Sequence, residues 1–206
     1  VFRRQRQMCI RDRYNENQQQ PPKPEGVDEG IIKGAYKLIE SKGDNIKVRL
    51  LGSGPILDYV KEAHDLLKSK FDIDSEVWSV TSYGELRREG LNIQRNNVLY
   101  PQNIKKSYVE YCFGDNIPTI AVSDHISAIP EMIQRWVGGQ FIVLGTDGYG
   151  RSDTREALRK FFEIDTNNII LGALSALEKE EKISVGSVEK AVTILGINRE
   201  KKDKTV

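Results

Sequence analysis

The segment Gly145-Thr146-Asp147-Gly148-Tyr149-Gly150-Arg151-Ser152-Asp153 places two carboxylates, a phenol and a guanidinium within seven positions. Such a set could move protons, or it could form an ion-pair network that fixes its own loop. The second use fits better, because no histidine stands nearby in sequence and no metal-ligand spacing occurs. Glycines at 145, 148 and 150 let the backbone make turns that other residues avoid. A second group is Asp124, His125 and Ser127, just past an apolar run; a histidine there could act as a general base in a crevice at a sheet edge. A Ser–His–Asp triad would need its serine on a strained elbow, and G-x-S-x-G does not occur. The third group, Gly52-Ser53-Gly54, could cradle a phosphate at a helix N-terminus. Leu57 stands where a dinucleotide fingerprint needs its last glycine, and no Walker-type lysine follows, so a tight strand-to-helix turn explains these glycines equally well. His64 falls mid-helix among apolar neighbours and reads as structural.

These groups need elements to hold them. Apolar, β-favouring runs predict strands from Ile46 to Leu51, Glu76 to Val80, Pro118 to Ser123 and Phe141 to Leu144. Each is followed by helical spacing. Leu57, Val60, Ala63, Leu67 and Phe71 share one helical face, with Pro55 suited to the first helical position. Ser82 is expected to cap a short helix through Leu91, and Ile104 to Phe113 is expected to be another. Met132, Ile133, Trp136 and Val137 predict a helix after the third strand. Ser152 is expected to cap a helix carrying Ala157, Leu158, Phe161 and Phe162. Asp165 is expected to cap a helix with Ile169, Ile170, Ala173, Leu174 and Leu177, and Val188, Ala191, Val192 and Leu195 predict the last one. Strands alternating with helices imply a mainly parallel sheet covered on both faces.

Composition sets the class. Across 206 residues, 38% hydrophobic and 30% charged content describe a globular chain with a polar surface. No apolar run reaches the ~20 residues of a membrane span. Cys9 and Cys112 are too few for a disulfide framework, and a reducing, cytoplasmic setting follows. Residues 1–13 carry Arg3, Arg4, Arg6, Arg11 and Arg13 against Asp12, and they read as non-native sequence. The Gln- and Pro-rich residues 15–30 lack apolar content and read as an extended linker. Tyr36 and Leu38 are spaced for a short strand or a lead-in. The organisation expected is therefore non-native sequence over 1–13, a linker and lead-in over 14–45, and one domain over 46–206. Glu178 to Lys182 and Arg199 to Lys204 read as solvated helix ends. Aromatic and basic residues do not interleave, so no nucleic-acid surface is expected.

Several stretches together resemble one family: "PEGVDEGIIKGAYKL" (24–38), "LLGSGPIL" (50–57), "VWSVTSYGELRREG" (77–90), "NVLYP" (97–101) and "VLGTDGYGRSDTREALRKFFEID" (143–165). Their order and spacing resemble the carboxyl-terminal domain of homodimeric pyruvate dehydrogenase (acetyl-transferring) subunits, which are transketolase-like thiamine diphosphate enzymes. The resemblance implies a three-layer α/β/α fold with a mostly parallel five-stranded sheet, the fifth strand falling at Lys33 to Ile39. It implies pyruvate decarboxylation and acetyl transfer to a lipoyl carrier in the complete protein, with a second copy of the subunit and the lipoyl acetyltransferase as partners. Thiamine diphosphate and Mg²⁺ belong to upstream domains in that family. Their Gly-Asp-Gly motif with its downstream Asn is not found in this chain, so no catalytic, cofactor or metal residue carries over and none is expected to be bound here. Gly145 to Asp153 then reads as a structural or interface loop. The alternative is a free-standing nucleotide- or anion-binding α/β module using Gly52–Gly54 and Gly145–Asp153.

Overall fold

A computed structural model describes residues 21–41, 43 and 48–200. The arginine-rich start, most of the predicted Ser41–Asn45 turn and the first residues of the strand expected from Ile46 lie outside the described residues. Five strands form one sheet: β1 (Ala35–Ile39), β2 (Val48–Gly52), β3 (Ser75–Val80), β4 (Thr119–Val122) and β5 (Phe141–Leu144). Their order is β1-β3-β2-β4-β5. β2 pairs parallel with both β3 and β4, and β4 pairs parallel with β5. β1 alone runs antiparallel, against β3, with a register shift between Lys37 and Ile39. The edge strand expected at Lys33 to Ile39 is thus present, inside the segment read as a lead-in.

Alternation along the strands divides the core into two layers. Val48, Leu50, Val77, Ile120 and Val122 face one side and pack on α2 (Leu57–Phe71), α7 (Thr166–Lys179) and α8 (Ser187–Leu195). Leu51, Trp78, Val80 and Ala121 face the other, against α3 (Tyr83–Leu99) and α4 (Tyr108–Phe113). Trp78 and Phe113 meet edge to face there, with ring centroids 4.9 Å apart. Sheet and two helical layers make the three-layer α/β/α architecture. A short helix, α1 (Asp28–Lys33), precedes β1 within the stretch read as linker and lead-in, and it ends at Gly34 with φ 108°. That angle suits glycine, and a Cβ there would lie 2.6 Å from the Ser82 carbonyl oxygen.

Helix boundaries depart from the sequence reading in four places. Ser82 does cap α3, accepting from the Glu85 amide at 3.1 Å, but the helix continues to Leu99. Beyond Leu91 its apolar face runs out, so hydrophobic spacing gave no sign of the last two turns. Conversely, α4 starts only at Tyr108, because Ser107 and Glu110 form a capping box there. The helix expected around Met132 to Val137 is α5 (Ala128–Glu131) followed by a 3₁₀ turn, Gln134–Trp136. After Pro130 the amides of Met132 and Ile133 reach back three residues rather than four. Finally, Thr154 and not Ser152 caps α6 (Arg155–Phe162), its hydroxyl accepting from the Ala157 amide.

Glu178 is more than a solvated helix end. From α7 its two carboxylate oxygens accept the Gly186 and Val188 amides at 3.1 and 2.8 Å, satisfying the open start of α8. These backbone donors hold its carboxyl below the ordinary value of 4.5. Glu178→Ala is expected to release α8 from α7, read as faster amide exchange at Ser187 to Ala191 with α2 and the sheet unaffected.

Candidate functional site: the carboxyl edge of the sheet

In an open parallel sheet the crevice beyond the strand ends, where the strand order reverses, is the favoured ligand position. Here that point lies between β2 and β4. The chain leaves β2 toward β3 on one side, then returns past β2 to form β4 on the other. A cleft of 410 Å³ opens there, with Ser53, Thr81, Ser82, Tyr83, Asp124 and His125 among its walls. Sequence alone placed Gly52–Gly54 and Asp124–His125 in separate groups, and the sheet brings them together.

The cleft is held by hydroxyl groups. Ser53 Oγ donates to Ser123 Oγ at 3.1 Å, and Ser123 Oγ accepts the His125 amide at 3.1 Å. Its main-chain amide donates to the Leu144 carbonyl at 3.0 Å, tying β4's end to β5. The imidazole of His125 is exposed, and among the described residues it has no hydrogen-bonding carboxylate to orient it. Ser53 and Ser123 are engaged with each other, so among the described residues the cleft holds no serine paired with a base. Burial pushes the Tyr83 hydroxyl well above the ordinary phenol value, which leaves it protonated. Among the described residues the cleft walls carry no lysine or arginine.

The glycine-rich loop begins as the floor beside this cleft. Thr146 donates from its amide to the His125 carbonyl at 2.9 Å and from Oγ1 to the Asp124 carbonyl at 2.9 Å. Asp147 accepts the Ser127 amide at 2.9 Å through Oδ1 and the Ser127 hydroxyl through Oδ2. Gly145 makes this possible: a Cβ there would sit 2.6 Å from the Ser127 nitrogen and 2.9 Å from the His125 carbonyl oxygen. Gly148 is required for another reason, its φ of 97°. Gly150 has ordinary φ and open space around it.

From Gly148 onward the loop is exposed, and Tyr149 is 85% accessible. Arg151 lays its guanidinium 4.0 Å from the Phe161 ring centroid, and Asp153 accepts the Thr154 amide at 2.7 Å. Asp147 is thus tied to Ser127 ahead of α5, whereas Arg151 and Asp153 both meet α6 or its cap, and these contacts fix the loop.

The glycines at 52 and 54 have structural reasons too. A Cβ on Gly52 would lie 3.0–3.1 Å from Leu57 and Val60, and Gly54 has φ 56°. His64 is buried, with Nδ1 2.8 Å from the Ser75 hydroxyl.

At the opposite, amino-terminal edge lies a network that hydrophobic patterning passed over. Arg49, 3% exposed, donates from Nε to Glu76 Oε1 at 2.5 Å and from both terminal nitrogens to the Asp115 carboxylate at 2.9 and 3.0 Å. Lys37 Nζ reaches Glu76 Oε2 at 3.0 Å. The signal was present in the sequence as opposite charges inside two strands read as buried, at positions the register sets side by side. Among the described residues no three His, Cys, Asp or Glu side chains converge as a metal site, and no helix is long and apolar enough to cross a membrane.

Comparison with known proteins agrees with this architecture. Residues 34–165 match the family described as Transketolase-like TK C-terminal domain. The pyruvate dehydrogenase E1 component of Pseudomonas aeruginosa is 48% identical over 193 residues, covering 92% of this chain and 22% of that protein. The Escherichia coli E1 component is 40% identical over 189 residues, covering 91% and 21%. The chain thus spans about a fifth of the length of these curated relatives. Among solved structures, Leishmania mexicana transketolase superposes with a TM-score of 0.52 at 16% identity, covering 73% of this chain and 19% of that one. A Pichia stipitis transketolase reaches 0.53 at 16% identity, covering 80% and 21%.

Proposed function

Since the chain belongs to the transketolase-like TK C-terminal domain family, we propose that it is the carboxyl-terminal part of a pyruvate dehydrogenase E1 subunit. The complete subunit would use thiamine diphosphate and Mg²⁺ to decarboxylate pyruvate and pass the acetyl group to a lipoyl carrier in the cytoplasm. The observation that carries this reading is identity of 40–48% to E1 components along nine-tenths of the chain. The residues present do not fit the cofactor. A diphosphate is held most firmly by cations, and the described walls of the cleft offer hydroxyls, the first amides of α3, Asp124 and His125 but no lysine or arginine. Mg²⁺ needs clustered oxygen ligands, and among the described residues no three His, Cys, Asp or Glu side chains converge, Asp147 and Glu178 being engaged at helix starts and Glu76 in an ion pair.

The domain's own task is then mechanical: a rigid sheet that supports the catalytic domains and packs in a homodimer. The Gly145–Asp153 loop suits that task, anchored at Thr146 and Asp147 and presenting Tyr149 outward. Incubated with thiamine diphosphate, Mg²⁺ and pyruvate, the chain is expected to release no carbon dioxide above background; turnover would overturn the reading. Calorimetry with phosphate, ADP and NAD addresses the anion-binding alternative, which requires heats of binding at low millimolar ligand.

A further inference from the structure

The last turn of α3 and its connection to α4 form an apolar knuckle. Val98 is 75% exposed, Leu99 52%, Tyr100 58% and Ile104 74%. Chains do not usually gather four large apolar side chains on one exposed turn without covering them. The knuckle is also closed at its base. Asn97 donates from Nδ2 to the Lys105 carbonyl at 2.8 Å and accepts the Lys105 amide on Oδ1 at 2.9 Å. Inside it the Asn103 amide donates to the Tyr100 carbonyl at 2.9 Å. A turn clamped at both levels loses little entropy on being covered.

Its position indicates what covers it. Lys106, directly after the clamp, lines a crevice of 390 Å³ whose other walls include Glu29 and Lys33 of α1 and Tyr111 of α4. Tyr111 is 81% exposed. The end of α1 and the start of β1 lie against this wall, since Lys33 Nζ stands 4.9 Å from the Tyr108 ring centroid and the Tyr108 hydroxyl donates to the Ala35 carbonyl at 2.9 Å. The polypeptide that leads into the sheet therefore arrives on the knuckle's side of the molecule. Stable association of free partners takes roughly 20 residues a side. The knuckle offers four apolar ones, too few for a free partner, whereas a tethered neighbour at millimolar effective concentration needs no more.

We infer that the knuckle Val98–Ile104 is the docking point for the domain that precedes this one in the same subunit. The inference rests on the chain being part of a longer E1 subunit. Hydroxyl-radical footprinting of this chain and of the full-length subunit tests it. Oxidation of Leu99, Tyr100 and Ile104 should fall several-fold in the full-length subunit, equally at concentrations where it is monomeric and dimeric. Val185, 90% exposed on the opposite helical layer, serves as reference. Protection that appears only with dimerisation would assign the knuckle to a second copy and overturn the inference, as would no protection at all. Pyruvate decarboxylation by the same full-length preparation separates the two claims: activity with an unprotected knuckle defeats the docking alone, and a well-folded subunit without activity defeats the E1 reading.

Discussion

Arg49→Ala should cost the fold about 3–5 kcal/mol, as expected when one partner of a buried ion pair is removed. The alanine leaves Glu76, 1% exposed, with Lys37 as its remaining cation. It also removes the bidentate grip on Asp115, which ties the start of β4 to β2 and β3. That second contact contributes less, because the Asp115 side chain is 53% exposed and its attraction is screened. Arg49→Met combined with Glu76→Leu removes both buried charges and should be far milder than Arg49→Ala alone, which isolates the stranded carboxylate as the cause. Urea unfolding by circular dichroism reads both, with the midpoint falling and the slope unchanged. A single variant that unfolds no earlier than the double one would refute the account.

The same pair sets a pH dependence. Burial pushes the Glu76 carboxyl up, but the hydrogen bond and charge of Arg49, with Lys37, outweigh it and leave the net value below 4.5. A carboxyl lowered by folding contributes stability that is present above its unfolded value and lost as pH falls through the folded one. Acid unfolding of the parent should therefore steepen as pH falls below the ordinary glutamate value of 4.5, and the double variant should lack this component.

Gly145→Ala is the second large effect. The new methyl group would press on two backbone atoms, the Ser127 nitrogen and the His125 carbonyl oxygen, neither of which can swing aside as a side chain end could. One strand end must shift, and the Ser127–Asp147 and His125–Thr146 bonds go with it. Overpacking of this kind costs about 1–3 kcal/mol. Gly148→Ala loses less, through its positive φ, and Gly150→Ala should be neutral or slightly stabilising, since it only restricts the unfolded chain. Thermal melts of the three variants give the ranking; equal losses at 145 and 150 would show that close packing is not the reason for Gly145.

The layering was legible because its causes are local. Alternation in Val48–Leu51 and Thr119–Val122, and helical spacing from Leu57 to Phe71, each report which side meets the core. The site was legible in pieces only. Nothing in the spacing of Ser53, Asp124 and Gly145 says that they share a sheet edge, because strand order depends on how β3 and β4 flank β2. α3 outran its prediction because its last two turns are held by Asn97 reaching Lys105, a polar contact without a period. Arg49 and Glu76 were invisible to a hydrophobic template because that template treats a charge inside a strand as an error, whereas here the two errors cancel each other.

The shift between Lys37 and Ile39 also bears on what happens when such a chain is crowded with others of its kind. β1 is an outer border of the sheet, only five residues long, kinked at its far end, with a lysine drawn inward onto Glu76. Short, bent and charged borders are poor templates for a neighbour's backbone. A newcomer strand would have to straighten the kink and pull Lys37 off its carboxylate before it could register, so this border resists fibre growth even when no other domain shields it.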